Sequence, residues 1–329
     1  MKSIIFILIF LFSVSCSKKV DIYNFKGSTM GTYYSIKIAA NSLDEEQMKI
    51  QIEVILKEVN QVFSTYIKDS EVSRLNDYQG DGPVSITPVM KDLILLSKQI
   101  NKSSDGFFDP TVGPLVNLWG FGPGGKRKKP SDKEIKNMMS SIGIENISIQ
   151  GNQLSKRTPG IYLDFSSIAK GQGVDDVGLV LESKGLKDYL VEIGGEVRAR
   201  GKKPDGSLWA IGIETPSEVL GQTIQKVVHL NNQSIATSGS YRNYLKYGND
   251  VFSHTISPKT GKPITHKLLS VSVISENCAN ADGWSTALMA MGPEKGLEKA
   301  NELGLKAYFL VKDKDKFKEM STTNFGKSL

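Results

Sequence analysis

With 329 residues, 39% of them apolar and 23% charged, the chain is long enough for one large domain or two small ones and too apolar to be disordered. The formal net charge of +6 is modest and spread along the chain. With no basic stripe interleaved with aromatics, it argues against nucleic acid as a partner and suits an anionic substrate or a membrane surface.

Taken in chain order, the first feature is an address label. Lys2 precedes an apolar run over residues 4–12, shorter than the ~18 residues a membrane span needs. Small residues then lead to Cys16, and the segment resembles a lipoprotein signal peptide cleaved before that cysteine, although Ser13 stands where such sites usually carry Leu. Residues 1–16 therefore read as the signal segment, cleaved before Cys16, which is expected to become the lipid-bearing first residue, anchoring the chain in a bacterial cell envelope facing the periplasm or the exterior. Cys278 is then left without an intrachain partner and reads as a small buried hydrophobe. Residues 17–25 read as a tether and residues 26–329 as one domain.

Alternation predicts a strand over residues 32–40, and helical spacing of Ile50, Val54, Val59 and Phe63 predicts a helix over 44–63. Pro88, suited to a first turn, opens a second helix over 88–100. The Gly- and Pro-rich stretch 106–130 is too apolar for a linker and too broken for a long helix, and such a segment is expected to line a site. Its basic run, residues 126–129, reads as a solvated loop. Further on, a helix is predicted over 167–183, and strands over 189–193, 197–200, 209–214, 225–230, 251–256 and 269–274. Two helices, 282–291 and 294–303, and a strand over 307–311 close the chain. Short strands with scattered helices indicate α+β with mostly antiparallel sheets, not a doubly wound fold.

Familiar nucleotide signatures fail. GFGPGGKR, from Gly120, has phosphate-loop glycines and lysine but Arg127 where a magnesium-holding Ser or Thr belongs. No GxGxxG follows a strand, and His229, His254 and His266 are not spaced as a zinc site. What remains are strings mixing Gly, Ser, Thr and charge: KGSTMGTYYSIKI from Lys26, FSTYIKDSEVSRLN from Phe63, DGFFDPTVGPLVNLWGFG from Asp105 and DFSSIAKGQGVDDV from Asp164. They continue with VEIGGEVRARG from Val191, IATSGSYRNYL from Ile235, FSHTISPKTGKPI from Phe252 and ADGWSTALMAMG from Ala281. Asp282 and Thr286, four apart, share one helix face and offer hard oxygens at an expected helix start.

These eight strings, in this order from about Lys26 to about Gly292, resemble the ApbE family, the FAD:protein FMN transferases. The resemblance implies a T-fold-like α+β architecture, FAD as substrate and magnesium as cofactor. The implied reaction moves FMN from FAD to a Thr or Ser hydroxyl of an acceptor protein, expected to be a membrane redox subunit, and releases AMP. It assigns magnesium to Asp282, Thr286 and the carbonyl of Ala169, and makes His254 the residue beside the flavin phosphate. As a histidine near a hydroxyl nucleophile, His254 is the expected general base. FAD contacts are implied at Met30, Tyr66, Phe107, Phe108, Asp109, Gln172 and Ile256. Thr237, Ser238 and Gly239 read as a small-residue turn facing phosphate, with Lys170 and Arg242 as phosphate partners. Gly283 departs from the family's usual Ala and is expected to weaken that helix start by ~1 kcal/mol. Two other readings remain open: a magnesium-dependent FAD pyrophosphatase giving FMN and AMP, and a lipid-anchored flavin-binding protein without catalysis.

Overall fold

Alternating burial pairs β1 (Asp21–Thr29) with β2 (Thr32–Ala40), through a two-residue turn in which Met30 and Gly31 both take positive φ, 50° and 70°. These observations come from a computed structural model that describes residues 19–123, 129–158, 160–215, 224–240, 244–247, 250–314 and 316–325. Cys16 and Arg242 lie outside the described residues, as do residues 124–128 of the glycine-rich string. The hairpin corrects the tether boundary: from Asp21 on, the segment is sheet. Only Phe25 of β1 is buried, so an edge strand of this kind carries almost no periodic signal.

The chain continues through α1 (Glu45–Phe63), α2 (Glu71–Asp77), β3 (Val84–Ser85), α3 (Pro88–Ser103), α4 (Gly113–Trp119), α5 (Asp132–Met139), β4 (Ile147–Gln150) and β5 (Gln153–Lys156). Asp44 caps α1 and Thr87 caps α3, with Pro88 in its first turn, as the sequence leads one to expect. Next come α6 (Ala169–Ser183), β6 (Tyr189–Ile193), β7 (Glu196–Arg200), β8 (Trp209–Glu214), β9 (Ile224–Leu230), β10 (Ser234–Gly239), β11 (Tyr244–Tyr247) and β12 (Asp250–Ser253). β13 (Leu268–Ser275), α7 (Cys278–Met291), α8 (Pro293–Glu302), β14 (Lys306–Asp313) and β15 (Lys316–Ser321) complete it.

One antiparallel sheet, in the order β1-β2-β6-β7-β10-β13-β14-β15, organises the molecule. The architecture is α+β with antiparallel sheets flanked by helices. Both faces are covered, which is why central strands such as β6 are buried along nearly their whole length. On one face, Ile36, Ile38, Val191 and Ile193 pack on α1 and α6, while Val271, Val273 and Phe309 pack with Leu288 and Met289 of α7. On the other, Leu190, Val197, Ala199 and Ile235 meet Trp209, Ile213 and Val228 of the β8–β9 ribbon. Among the described residues no helix is long and apolar enough to cross a membrane.

Two readings of local structure change. Thr237–Ser238–Gly239 is not a turn but the end of β10, laddered to β13 with Thr237 opposite Ser272 and Gly239 opposite Ser270. α7 starts at Cys278, so Asp282 lies in its second turn instead of at its start. No side chain of either N-cap residue, Ile168 or Asn277, caps α6 or α7. Each helix is capped by the other: Asp282 accepts from the N–H of Gly171 at 3.0 Å, and Asp175 accepts from the N–H of Ala279 at 2.9 Å. Asp175 also holds Arg198 of β7 at 2.7 Å, and the same guanidinium reaches Glu182 and the Tyr189 hydroxyl. Gly283 lies in the second turn of α7, where a Cβ would lie 2.5 Å from the tip of Ile100 and 3.0 Å from that of Ile168, so a side chain there would have to push those tips aside.

The contact between α6 and α7 generates a stability prediction. A Cβ on Gly171 would lie 2.5 Å from the carbonyl oxygen of Cys278 and 2.8 Å from the Cα of Ala279, and backbone cannot swing aside. Gly171→Ala should therefore lower stability by ~1–3 kcal/mol, the usual range for overpacking. Chemical denaturation reads this directly, and an unchanged midpoint would contradict the close approach.

Candidate active site

The open end of the main sheet makes the site. β10 pairs with β7 only at Ser234↔Arg198 and Ile235↔Val197. Beyond that point β7 has reached its first residue, Glu196, while β10 runs on against β13 alone. A cavity of ≈ 1440 Å³ enters where the two strands part. This exceeds the ~300–1,000 Å³ of ordinary small-molecule pockets.

Its polar centre is built by the two mutually capped helices. α6 brings Ala169 and Lys170, and α7 brings Asp282 and Thr286. Thr286 Oγ1 lies 3.2 Å from Ser238 Oγ and donates to the carbonyl of Ser167 at 3.3 Å; Ser238 Oγ is also 2.8 Å from Ser285 Oγ. Carboxylate, hydroxyls and carbonyl thus converge. Among the described residues no group of three or more His, Cys, Asp or Glu side chains forms a metal cage. The hard-oxygen set fits magnesium, which is held by one or two carboxylates and keeps waters and substrate phosphates in its shell.

Beside it stands an ion pair, buried at its glutamate end, that is missing from the sequence reading. Lys170 Nζ is 2.6 Å from Glu196 Oε1, and Glu196 is 2% exposed. The other oxygen, Oε2, is buried with no hydrogen-bond partner. Burial pushes the Glu196 carboxyl up, with Asp282 adding to the shift and Lys170 opposing it. Burial likewise raises Asp282, against the pull of Lys170 and the Gly171 N–H. For Lys170, burial works against the charge, but Glu196 and Asp282 outweigh it and hold the ammonium above the ordinary lysine range. Two carboxylates facing one ammonium leave an excess of negative charge that a cation at Asp282 would offset.

His254 follows β12 and lines the same cavity, its ring edge-on to Phe121 with centroids 6.4 Å apart. Its hairpin is pinned to α4. Trp119 donates through Nε1 to the carbonyl of Gly261 at 2.8 Å, the Phe252 ring lies 5.2 Å from that of Trp119, and the Tyr247 hydroxyl donates to the Trp119 carbonyl at 2.7 Å. The apolar segment 106–123 thus lines the cavity and braces the histidine.

Of the other expected contacts, Met30, Tyr66, Phe107, Phe108, Asp109, Thr237, Ser238, Gly239 and Ile256 line the cavity. Met30 does so with the left-handed backbone of the β1–β2 turn, and Tyr66 is 71% exposed. Phe107 lies under Lys295, 4.3 Å from the ring centroid. Asp109 is spent on fastening its loop to Ile144, accepting from Thr111 N at 2.8 Å, Thr111 Oγ1 at 2.6 Å and Ile144 N at 3.2 Å. Gln172 does not line the cavity; its amide donates to Asp176 at 2.7 Å along α6. Lys170 is engaged by Glu196, which qualifies its reading as a phosphate partner. His229 is exposed on β9, and His266 bonds the Met289 carbonyl at 2.8 Å; neither lines the cavity. Besides Glu196, the sequence reading passed over Asp164, which lines the cavity and caps the turn before α6 through Ser166 N at 2.9 Å. The signal for both was present: acids inside Gly- and Ser-rich strings, where core strands carry none.

Comparison with known proteins agrees with this geometry. The model of the ApbE family matches residues 30–309. The FAD:protein FMN transferase of Vibrio cholerae is 41% identical over 318 residues, covering 96% of this chain and 95% of its own. That of Escherichia coli K12 is 36% identical over 329 residues, covering 96% and 93%. The solved flavin transferase ApbE from Vibrio cholerae superposes with a TM-score of 0.86 at 39% identity, covering 94% of this chain and 100% of that one. The apo flavinyl transferase ApbE of Pseudomonas stutzeri gives 0.86 at 39%, covering 94% and 97%. With the family model matching most of its length and these relatives covered nearly end to end, the chain belongs to the ApbE family.

Proposed function

We propose that this chain transfers FMN from FAD to a Thr or Ser hydroxyl of an acceptor protein and releases AMP. The observation that carries the reading is a single cavity in which a histidine, a hard-oxygen cluster and a lysine–glutamate pair meet, in a chain whose near-full-length relatives are named FAD:protein FMN transferases. The acceptor oxygen attacks the FMN-side phosphorus, the bond to the AMP oxygen breaks, and the hydroxyl proton passes to His254. Phe107, Tyr66 and Met30 offer surfaces for the aromatic ends of FAD. Magnesium bound by Asp282, Thr286 and the Ala169 carbonyl would supply charge stabilisation on the pyrophosphate. Lys170, held protonated by its carboxylate neighbours, adds positive charge on the same side.

The test is incubation of the purified chain with FAD, magnesium and candidate membrane redox subunits, reading covalent flavin fluorescence on a gel and AMP and FMN in solution. Transfer labels the acceptor. Release of FMN and AMP without label would favour the pyrophosphatase reading, and no turnover would favour a flavin-binding protein.

Because Asp282 also caps α6, Asp282→Asn separates its two duties: the amide oxygen still accepts from Gly171, while the charge is gone. The variant should keep wild-type stability and FAD affinity but need more magnesium for turnover. If excess magnesium leaves the defect unchanged while FAD binds normally, the ligand role is lost.

General base catalysis contributes ~10²–10⁴-fold. His254→Ala should lose about that much turnover with little change in FAD affinity. His254→Gln keeps a hydrogen-bonding side chain but offers no basic nitrogen and should be nearly as inactive. Near-normal transfer by the Gln variant, or loss of FAD binding by the Ala variant, would make His254 a positioning residue.

The apolar run over residues 4–12 and Cys16 support a lipid anchor in the bacterial envelope, with the domain facing the periplasm or exterior. The mature chain should begin at Cys16 and carry lipid; an intact mass matching an unmodified N-terminus past Cys16 would exclude this.

A further inference from the structure

Lys170 has two carboxylates within electrostatic reach and closes on one of them. Among the described residues its ion pair is with Glu196, Nζ to Oε1 at 2.6 Å, while Asp282 pulls on the same ammonium without forming a pair. Asp282 is near through the backbone as well, since it accepts from the N–H of Gly171, the next residue of α6. A lysine carries its charge on a flexible four-carbon stem and can turn toward either acid. Contact with Asp282 would take up the oxygen and the charge that a divalent cation needs there. Which acid holds Lys170 therefore matters to the metal.

The fold fixes that choice through Glu196. This residue opens β7 directly after the turn of Gly194 and Gly195, both at positive φ, 59° and 102°. A two-residue turn of this kind sets the register of its strands, Ile193 opposite Glu196, so the backbone carrying the acid is held in place. The side chain is 2% exposed and lines the cavity, and Oε2 has no hydrogen-bond partner. An acid buried with one oxygen unmatched costs stability, so packing alone does not account for it.

We propose that Glu196 is a positioning residue for the metal: by holding Lys170 it keeps the ammonium off Asp282 and leaves that carboxylate open to magnesium. This rests on the assignment of magnesium to Asp282, Thr286 and the Ala169 carbonyl made above, and names the residue that keeps that place open. Paired with each other, Lys170 and Glu196 nearly cancel, and Asp282 presents its charge to the cation. Were Lys170 paired with Asp282 instead, those two would cancel.

The experiment titrates the full chain, without FAD, with Mn2+, which suits the same oxygen donors, and reads free and bound ion by electron paramagnetic resonance. Glu196→Gln keeps the shape and removes the charge. It should weaken Mn2+ binding by about tenfold or more, the scale on which metal affinity falls when a residue supporting a ligand is lost. A crystal structure of that variant should show Lys170 Nζ within ion-pair distance of Asp282. Adding Lys170→Met removes the ammonium and should return Mn2+ affinity to near the wild-type value. Wild-type affinity in Glu196→Gln, a Lys170 that stays away from Asp282 in its crystal structure, or a double variant that binds no better than the single one overturns the proposal. A wild type that binds no Mn2+, or an Asp282→Asn variant that binds it as tightly as the wild type, overturns the metal assignment and this proposal with it. Covalent labelling of an acceptor is read separately, so neither failure is confused with failure of the transfer reading.

Discussion

Two carboxylates exchanged between helices hold this molecule's centre. Asp282 of α7 closes the N-terminus of α6, and Asp175 of α6 closes that of α7. A helix start leaves N–H groups without partners and carries partial positive charge, so burying two starts side by side without acceptors would be costly. Neither helix brings its own cap. The exchanged acids satisfy both ends, and Asp175 extends the arrangement into the main sheet through Arg198. Gly171 makes it geometrically possible by letting the two backbones meet.

The site follows from that constraint. Ala169 and Lys170 open α6 only a residue or two from the N–H that Asp282 accepts, while Thr286 lies one turn beyond Asp282 on α7. The same carboxylate that closes a helix therefore faces the cavity with its remaining capacity. Its burial raises the cost of its charge, and Lys170 and the helix N-terminus are what keep that cost bearable. Glu196 stands at the parting of β7 and β10 because the sheet opens there, with one oxygen on Lys170 and the other unmatched. Unsatisfied buried oxygens are rare in native proteins and concentrate where a ligand or ion completes them.

Legibility along the chain tracks how local each cause is. β6 matches its sequence-derived bounds as a short apolar run buried on both faces, and β8 because one-sided burial imposes a period of two. α1 and α3 carry their own caps and were readable at both type and start. The box of Ser131 and Glu134 that opens α5 is an equally local signal, though it sits directly behind a Gly- and Pro-rich stretch that draws attention to loops. β10 was not readable as a strand: Thr237, Ser238 and Gly239 have little strand character, and pairing with β13 alone keeps them extended. The start of α7 was misplaced for the matching reason, since its cap comes from a residue more than a hundred positions away.

The sequence by itself determined the α+β class, through residue type and period, and its eight strings, by resemblance, pointed to the family and to a core of residues that do line the cavity. The tertiary structure alone decided that Asp282 caps a neighbouring helix, that Asp109 accepts from the N–H of Ile144, and that Glu196 meets Lys170. Each of these turns on which distant backbone group or side chain arrives within hydrogen-bonding distance, and a local pattern reports how a residue is buried but not what it is buried against.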